Sequence, residues 1–330
     1  MKRFLALLIL CQSFLFAVDY DCVVVGSSPF SLFEALYQYH SGSRVLILEE
    51  ASSCGGAWKS IEVCGIPHAD LGCHQIGHDA QLKMFLETYA GCRLVSMDKP
   101  WKGFELGDSP NGYYFSQGCF ELIDHLTKLI SRTNISLLLN HKVESVSIDE
   151  SAQMAVVQTT HETFTTSKVI ATQMSGFDLN YRGMQIPKQT GKTKYYHLYL
   201  LLQDPTPFRF TYQGGGIGAG VSRIMNLTPF VGLENTGRQL LVFQTHSEQA
   251  LTKGNEFLEA LKSRDLLDRS AFVLKEDSYI FESVHLNSHA RNADVHPYIE
   301  ILDTGHIQNL STYVSKWKQV LKTYSEATSN

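Results

Sequence analysis

A glycine closing an apolar run, two small hydroxyl residues behind it, and a carboxylate roughly 20 residues later have the types and spacing to hold a phosphorylated ribose. Here they are Gly26, Ser27, Ser28 and Glu49, with Glu50 as the neighbouring acid. The glycine gives the turn, a helix start beyond it faces an anion with its amides, and the acid accepts from ribose hydroxyls. The dinucleotide pattern wants three glycines. Gly26 is the first, whereas Ser28 and Ser31 stand at the other two positions and each adds a Cβ and a hydroxyl. A glycine pair, Gly55-Gly56, follows with Ala57 and Trp58.

The elements that position these residues are legible locally. Cys22 to Val25 are apolar and mostly β-branched, as in a strand buried on both faces of a parallel sheet. Leu32, Phe33, Leu36 and Tyr37 recur at helical spacing up to His40, and Gly42 closes that helix. Val45 to Leu48 form the second strand and deliver Glu49. Strand, Gly turn, helix, strand and acid make the βαβ unit of a nucleotide-binding fold.

With these residues in view, LEE…GGAWKS resembles the second half of the FAD signature in the flavin amine oxidase, phytoene desaturase and UDP-galactopyranose mutase superfamily. The likeness covers residues 20 to 78. It implies FAD as cofactor, with Gly55, Gly56, Ala57 and Trp58 on the flavin side. The segment Gly65 to Gly77 is similar to the superfamily's strand-turn carrying Gly-x-His, which implies His74 near the isoalloxazine; on residue type alone, a structural histidine fits as well. Ser136 to Asp149 resembles the strand pair that offers a backbone amide to adenine, at Val143. Ser167 to Ser175 resembles the returning strand, with Ala171 and Thr172 near the cofactor. Pro297 to Leu321 stands at the place of the last FAD contact, implying Gly305, Asn309 and Leu310. The superfamily's Gly-Asp or Gly-Arg is replaced there by Asp303-Thr304-Gly305-His306.

The resulting fold class is α/β: a Rossmann-like FAD/NAD(P)-binding domain of the glutathione-reductase type with an inserted mixed antiparallel-sheet substrate domain. The binding domain is expected at 18–80, 115–175 and 296–330, and the substrate domain at 81–114 and 176–295. Within the latter, Thr193 to Asp204, Ser222 to Phe230 and Gln239 to Ser247 read as antiparallel strands, and Asn255 to Ser263 as an amphipathic helix. Gln213 to Gly220 opens no helix, so it reads as a hairpin or loop rather than a phosphate cradle. Arg223 resembles a substrate-facing basic residue; an exposed strand arginine is the plain alternative. Tyr195, Tyr196, Tyr199 and Trp58 are pocket candidates, with core packing as the alternative.

These readings lead to an FAD-dependent oxidoreductase abstracting hydride from a C–N or C–C bond of a small-molecule substrate, with His74 and Arg223 as catalytic candidates. A nucleotide-sugar flavoenzyme similar to UDP-galactopyranose mutase is one alternative, for which Arg223 and Arg291 are the basic candidates facing a diphosphate. GSSPFSLFEAL with GGAWKSI also resembles the Rab escort and GDP-dissociation-inhibitor branch, which implies a binding protein or pseudoenzyme without cofactor.

Other function classes are disfavoured. A chain of 330 residues predicts about two domains, and 44% hydrophobic against 18% charged residues describes a cored protein. A net charge of −5 offers no field for nucleic acid. No G-x-S-x-G elbow supports hydrolase chemistry, and His285, His289 and His296 are too irregularly spaced for a metal. Seven cysteines contain no C-x-x-C; Cys22 reads as buried, and pairing among Cys54, Cys64 and Cys73 is an option only for an exported protein. Lys2 and Arg3 before the apolar run Phe4 to Ala17 predict an export signal over 1–17, or else an uncleaved membrane anchor.

Overall fold

The structure, a computed structural model, describes residues 18–72, 74, 76–77, 79–96, 112–172, 176–186, 191–204, 212–214, 220–285, 298–302 and 314–317. By internal contacts the chain forms two compact units: Met1–Ser53, Thr133–Gly191 and Val284–Thr304 in the first, and Cys54–Arg132, Lys192–Ser283 and Gly305–Asn330 in the second. Segment 54–80, which the sequence reading gives to the binding domain, falls within the second unit. No helix of the described residues is long and apolar enough to cross a membrane.

The first unit is built on the opening strand, Tyr20–Val25, whose Cys22, Val23 and Val24 are almost wholly buried. It pairs in parallel with Val45–Leu48 on one side and Thr163–Thr172 on the other. Ser136–Leu138 adds a parallel strand beyond Val45–Leu48, and Ile299–Leu302 runs parallel to the last residues of Thr163–Thr172. Val143–Asp149, Met154–Thr159 and the first part of Thr163–Thr172 form an antiparallel meander in the same sheet. A strand covered on both faces explains why Val45–Leu48 is an unbroken apolar run rather than an alternating one.

The first helix spans Pro29–His40 and packs on the opening strand, Val45–Leu48 and Thr163–Thr172. It begins three residues before the expected Leu32. Proline at its first position loses no intrahelical bond, and Ser28 in extended backbone is a ready cap. Its end follows the sequence reading: Ser41 is the C-cap, and Gly42 takes the left-handed conformation.

The second unit contains a five-stranded antiparallel sheet in the order Tyr212–Gly214, Val221–Asn226, Arg238–Thr245, Gly191–Gln203, Phe272–His285. Alternation along the long Gly191–Gln203 strand sorts its side chains. Leu198, Leu200 and Leu202 join Leu241, Phe243 and Ile224 under the helix Gly254–Lys262. His197 and Tyr199 face the other way, toward the chain at Asp70 to Gly72. The strands expected at 193–204, 222–230 and 239–247 and the helix at 255–263 are all present, the second ending at Asn226 before a short 3-10 turn at Thr228–Phe230.

Candidate functional site

In the first unit, Gly26, Glu49 and Thr172 follow the carboxyl ends of three adjacent parallel strands, since Val25 stands opposite both Leu48 and Ala171. Open α/β sheets place ligands at that end. Gly26 has φ +90°, a conformation that costs a residue with a Cβ, and its amide donates to the Leu48 carbonyl at 2.8 Å. The turn aims the next residue at the acid. Ser27 donates to Glu49 Oε2 through its amide at 2.9 Å and its hydroxyl at 2.5 Å, while Ala51 N–H donates to Oε1 at 2.7 Å. Glu49 is 8% exposed, so these charge-assisted bonds fix the carboxylate in one orientation. Glu50 stands apart, exposed, 3.9 Å from Lys142.

Ser28 caps the first helix. Its Oγ accepts from Ser31 N–H at 3.3 Å and lies 3.1 Å from the Ser31 hydroxyl. Of the first-turn donors, Pro29 has no N–H, Ser31's is held by the cap, and Leu32's bonds the Ser28 carbonyl. At the anion end of the helix, the two serines therefore offer hydroxyls where the three-glycine pattern offers bare backbone. Val143, Ala171 and Thr172 are buried. Val143 opens its strand opposite Thr159. Gly305, Asn309 and Leu310 lie outside the described residues.

In the second unit, both glycines of the Gly55-Gly56 pair have positive φ, +121° and +56°, and a Cβ on Gly55 would stand 3.0 Å from Lys59 Cα. The turn leads through Ala57 to Trp58, whose indole stacks on the His74 ring with centroids 4.7 Å apart. His74 Nε2 sits 2.8 Å from the Ala57 carbonyl and 3.0 Å from that of Leu71. Both are acceptors, so this nitrogen carries the proton and donates. Burial pushes the His74 pKa down to about 4. The neutral imidazole thus ties the Gly-Gly turn to the Leu71 segment.

Two groups here carry no local sequence signal. His197 is 3% exposed, its Nδ1 has no hydrogen-bond partner among the described residues, and burial pushes its pKa down to about 4. Gly72, at φ +95°, passes so near that a Cβ would stand 2.8 Å from His197 Nε2. Asp70, 1% exposed, accepts from Ser60 Oγ at 2.9 Å, the Cys119 amide at 2.9 Å and the Tyr114 hydroxyl. It caps the helix Cys119–Ile130 from outside, because the N-cap residue Gly118 has no side chain to do so. Burial nevertheless raises the Asp70 pKa to about 7.

The remaining candidates separate. Tyr196 and Tyr199 are core residues, Tyr199 donating its hydroxyl to the Asp70 carbonyl at 2.8 Å, whereas Tyr195 packs near His246 and Phe281. Arg223 is exposed on its strand. Cys22, Cys64, Cys92 and Cys119 are free thiols, and Cys73 lies outside the described residues. Among the described residues no group of His, Cys, Asp and Glu could hold a metal. His289, Arg291 and His296 are outside them too.

No family model matches the sequence, and no curated protein matches it. Solved structures do. Putrescine oxidase with putrescine bound superposes with a TM-score of 0.64 at 11% identity, over 93% of this chain and 99% of its own. An oxidoreductase from Methanosarcina mazei gives 0.59 at 13% identity, over 90% and 99%. A protein from Pyrococcus furiosus gives 0.63 at 14%, over 91% and 97%. The chain therefore has the mixed α/β fold of these solved structures.

Proposed function

We propose that this protein is an FAD-dependent oxidoreductase of the flavin amine oxidase type, with the glutathione-reductase-type nucleotide fold and an inserted substrate domain. The observation that carries the reading is the Glu49 carboxylate, buried beside the Gly26 turn and held by Ser27 and Ala51. A carboxylate with three internal donors still has lone pairs to accept from a ribose diol. The residues fit the adenosine half of FAD, and at the diphosphate Ser28 and Ser31 would donate hydroxyl protons in place of close backbone approach.

Bound FAD would supply the hydride acceptor. The chain's own part is holding and shielding. Ser27 orients Glu49, Glu49 orients the ribose, and the first helix presents its positive end to the diphosphate. His74 serves the turn at Gly55–Trp58: neutral at pH 7 and committed through Nε2 to two carbonyls, it is a positioning residue rather than a proton carrier. The neighbours' chemistry favours a C–N bond, since one of them is an oxidase solved with the diamine putrescine. Export through residues 1–17 belongs to the same proposal.

A second reading, a cofactor-less binding protein, is favoured by the Ser28 cap, which occupies the Ser31 amide. Anaerobic mixing with a panel of amines separates the two. Bleaching of a protein-bound flavin band is expected from the oxidoreductase; a protein that never holds flavin, or holds it and is reduced by no amine, rejects this assignment.

A further inference from the structure

Ser60 and Asp70 stand directly opposite each other in the hairpin of strands Ser60–Val63 and Ile66–Asp70, so their side chains share a face. That face meets the strand Gly112–Phe115 through Tyr114 and the helix Cys119–Ile130 through its first residue. The Asp70 carboxyl joins the three elements. Its Oδ1 accepts from Ser60 Oγ and from the Cys119 amide, both at 2.9 Å, and its Oδ2 accepts from the Tyr114 hydroxyl. The Cys119 thiol lies 3.4 Å from that same hydroxyl oxygen and also interacts with the carboxylate. Gly118 leaves the room, for a Cβ there would stand 2.8 Å from Asp70 Oδ1.

Asp70, Tyr114 and Cys119 are each 1% exposed or less. The groups facing the carboxyl are Ser60, Tyr114 and Cys119, while its main-chain carbonyl takes the Tyr199 hydroxyl and the Gly72 amide. No cation is among them. A buried carboxylate without a counter-charge is costly, and burial raises the Asp70 pKa to about 7. The neutral form needs an acceptor for its own O–H. Oδ1 cannot supply that place, because the Cys119 amide donates there and cannot reverse. Oδ2 faces Tyr114, whose hydroxyl can either donate or accept, and the thiol beyond it is a weak donor and a weak acceptor.

We propose that Asp70, Tyr114 and Cys119 form a reversible hydrogen-bond relay, through which the joint between hairpin and helix exchanges one proton with solvent while staying closed. With Asp70 ionised, the Tyr114 hydroxyl and the Cys119 thiol donate toward the carboxylate. With the proton on Oδ2, Asp70 donates to Tyr114 and Tyr114 turns its hydrogen to the Cys119 sulfur. The Ser60 and Cys119 amide bonds to Oδ1 are the same in both states, so the helix keeps its cap. Ser60, half-buried, is the member nearest to solvent. The relay needs no nucleotide at Glu49 and does not rest on the function proposed above.

Infrared difference spectra of the full chain between about pH 9 and about pH 5 test it. Asp70→Asn identifies the carboxyl C=O band and Cys119→Ala the thiol S–H band, with Cys119→Ser for the same purpose should the alanine variant fail to fold. The expected result is a C=O band that grows on acidification and a Cys119 S–H band that shifts to higher frequency with the same midpoint, because the thiol ceases to donate. The Cys119 amide should keep its hydrogen-exchange protection at both ends. A carboxyl still ionised at the acid end, an S–H band that stands still while Asp70 titrates, or amide protection lost on acidification overturns the proposal.

Discussion

Ser27 is the residue on which the nucleotide site turns. Its hydroxyl and amide both end on Glu49 Oε2, so Ser27→Ala deletes one charge-assisted bond and frees the carboxylate to rotate. Such a bond is worth about 1.5 kcal/mol, and the expected outcome is FAD affinity weakened roughly tenfold with little change in melting temperature. Flavin fluorescence quenching would measure it, and an affinity equal to wild type would show that Glu49 needs no such support. Gly72 is dictated by geometry instead. Its φ of +95° and the 2.8 Å approach of a Cβ to His197 Nε2 predict that Gly72→Ala destabilises by about 2 kcal/mol or more. Thermal unfolding checks it. Neither role is visible in sequence: the Ser27 bond crosses from one strand end to the next, and His197 reaches Gly72 only through tertiary structure.

The βαβ unit was the most legible element, because a buried parallel strand, a helical apolar period and a terminal acid are all local patterns. The helix start was the exception. Ser28 as cap and Pro29 at the first position were readable signals, yet the apolar period draws attention to Leu32. That boundary has a functional consequence, since Ser28 holds the Ser31 amide that an anion would otherwise meet. Ser28→Gly removes the cap at a cost of only a few tenths of a kcal/mol. The expected outcome is a slightly lower melting temperature and weaker FAD binding, because the Ser28 hydroxyl serves the diphosphate; stronger binding would show that its hold on the Ser31 amide obstructs the anion instead. In the second unit the strands were legible from alternation, but the bulge at Ser222, between the Val221–Thr245 and Arg223–Gln244 pairs, was not. Periodicity within one strand carries no information about pairing with its neighbour, and that pairing decides which face Arg223 occupies.

On the scale of the whole molecule, three buried groups set opposing responses to acid. An unfolded imidazole titrates near 6.5. His74 and His197, pushed down to about 4, give stability that is fully present above pH 6.5 and is lost as pH falls toward 4. Each loss is about 2 kcal/mol by pH 5. Asp70 runs the other way. With its pKa raised to about 7 the folded state takes up a proton first, so the burial penalty on the carboxylate is relieved as pH falls from 7 toward 4. Wild-type stability should therefore decline only modestly between pH 7 and pH 5, and Asp70→Asn should decline more steeply. Melting temperatures of both proteins across that range test the compensation; parallel slopes would contradict it.

The account depends most on the nucleotide that Glu49 is poised to hold. Its direct test is the absorbance spectrum of the folded protein, prepared without residues 1–17, before and after incubation with FAD and removal of free ligand. Flavin bands that remain with wild type and diminish in Glu49→Ala are the predicted result. A well-folded wild type that emerges colourless would contradict it and leave a binding protein whose serines have closed the diphosphate site.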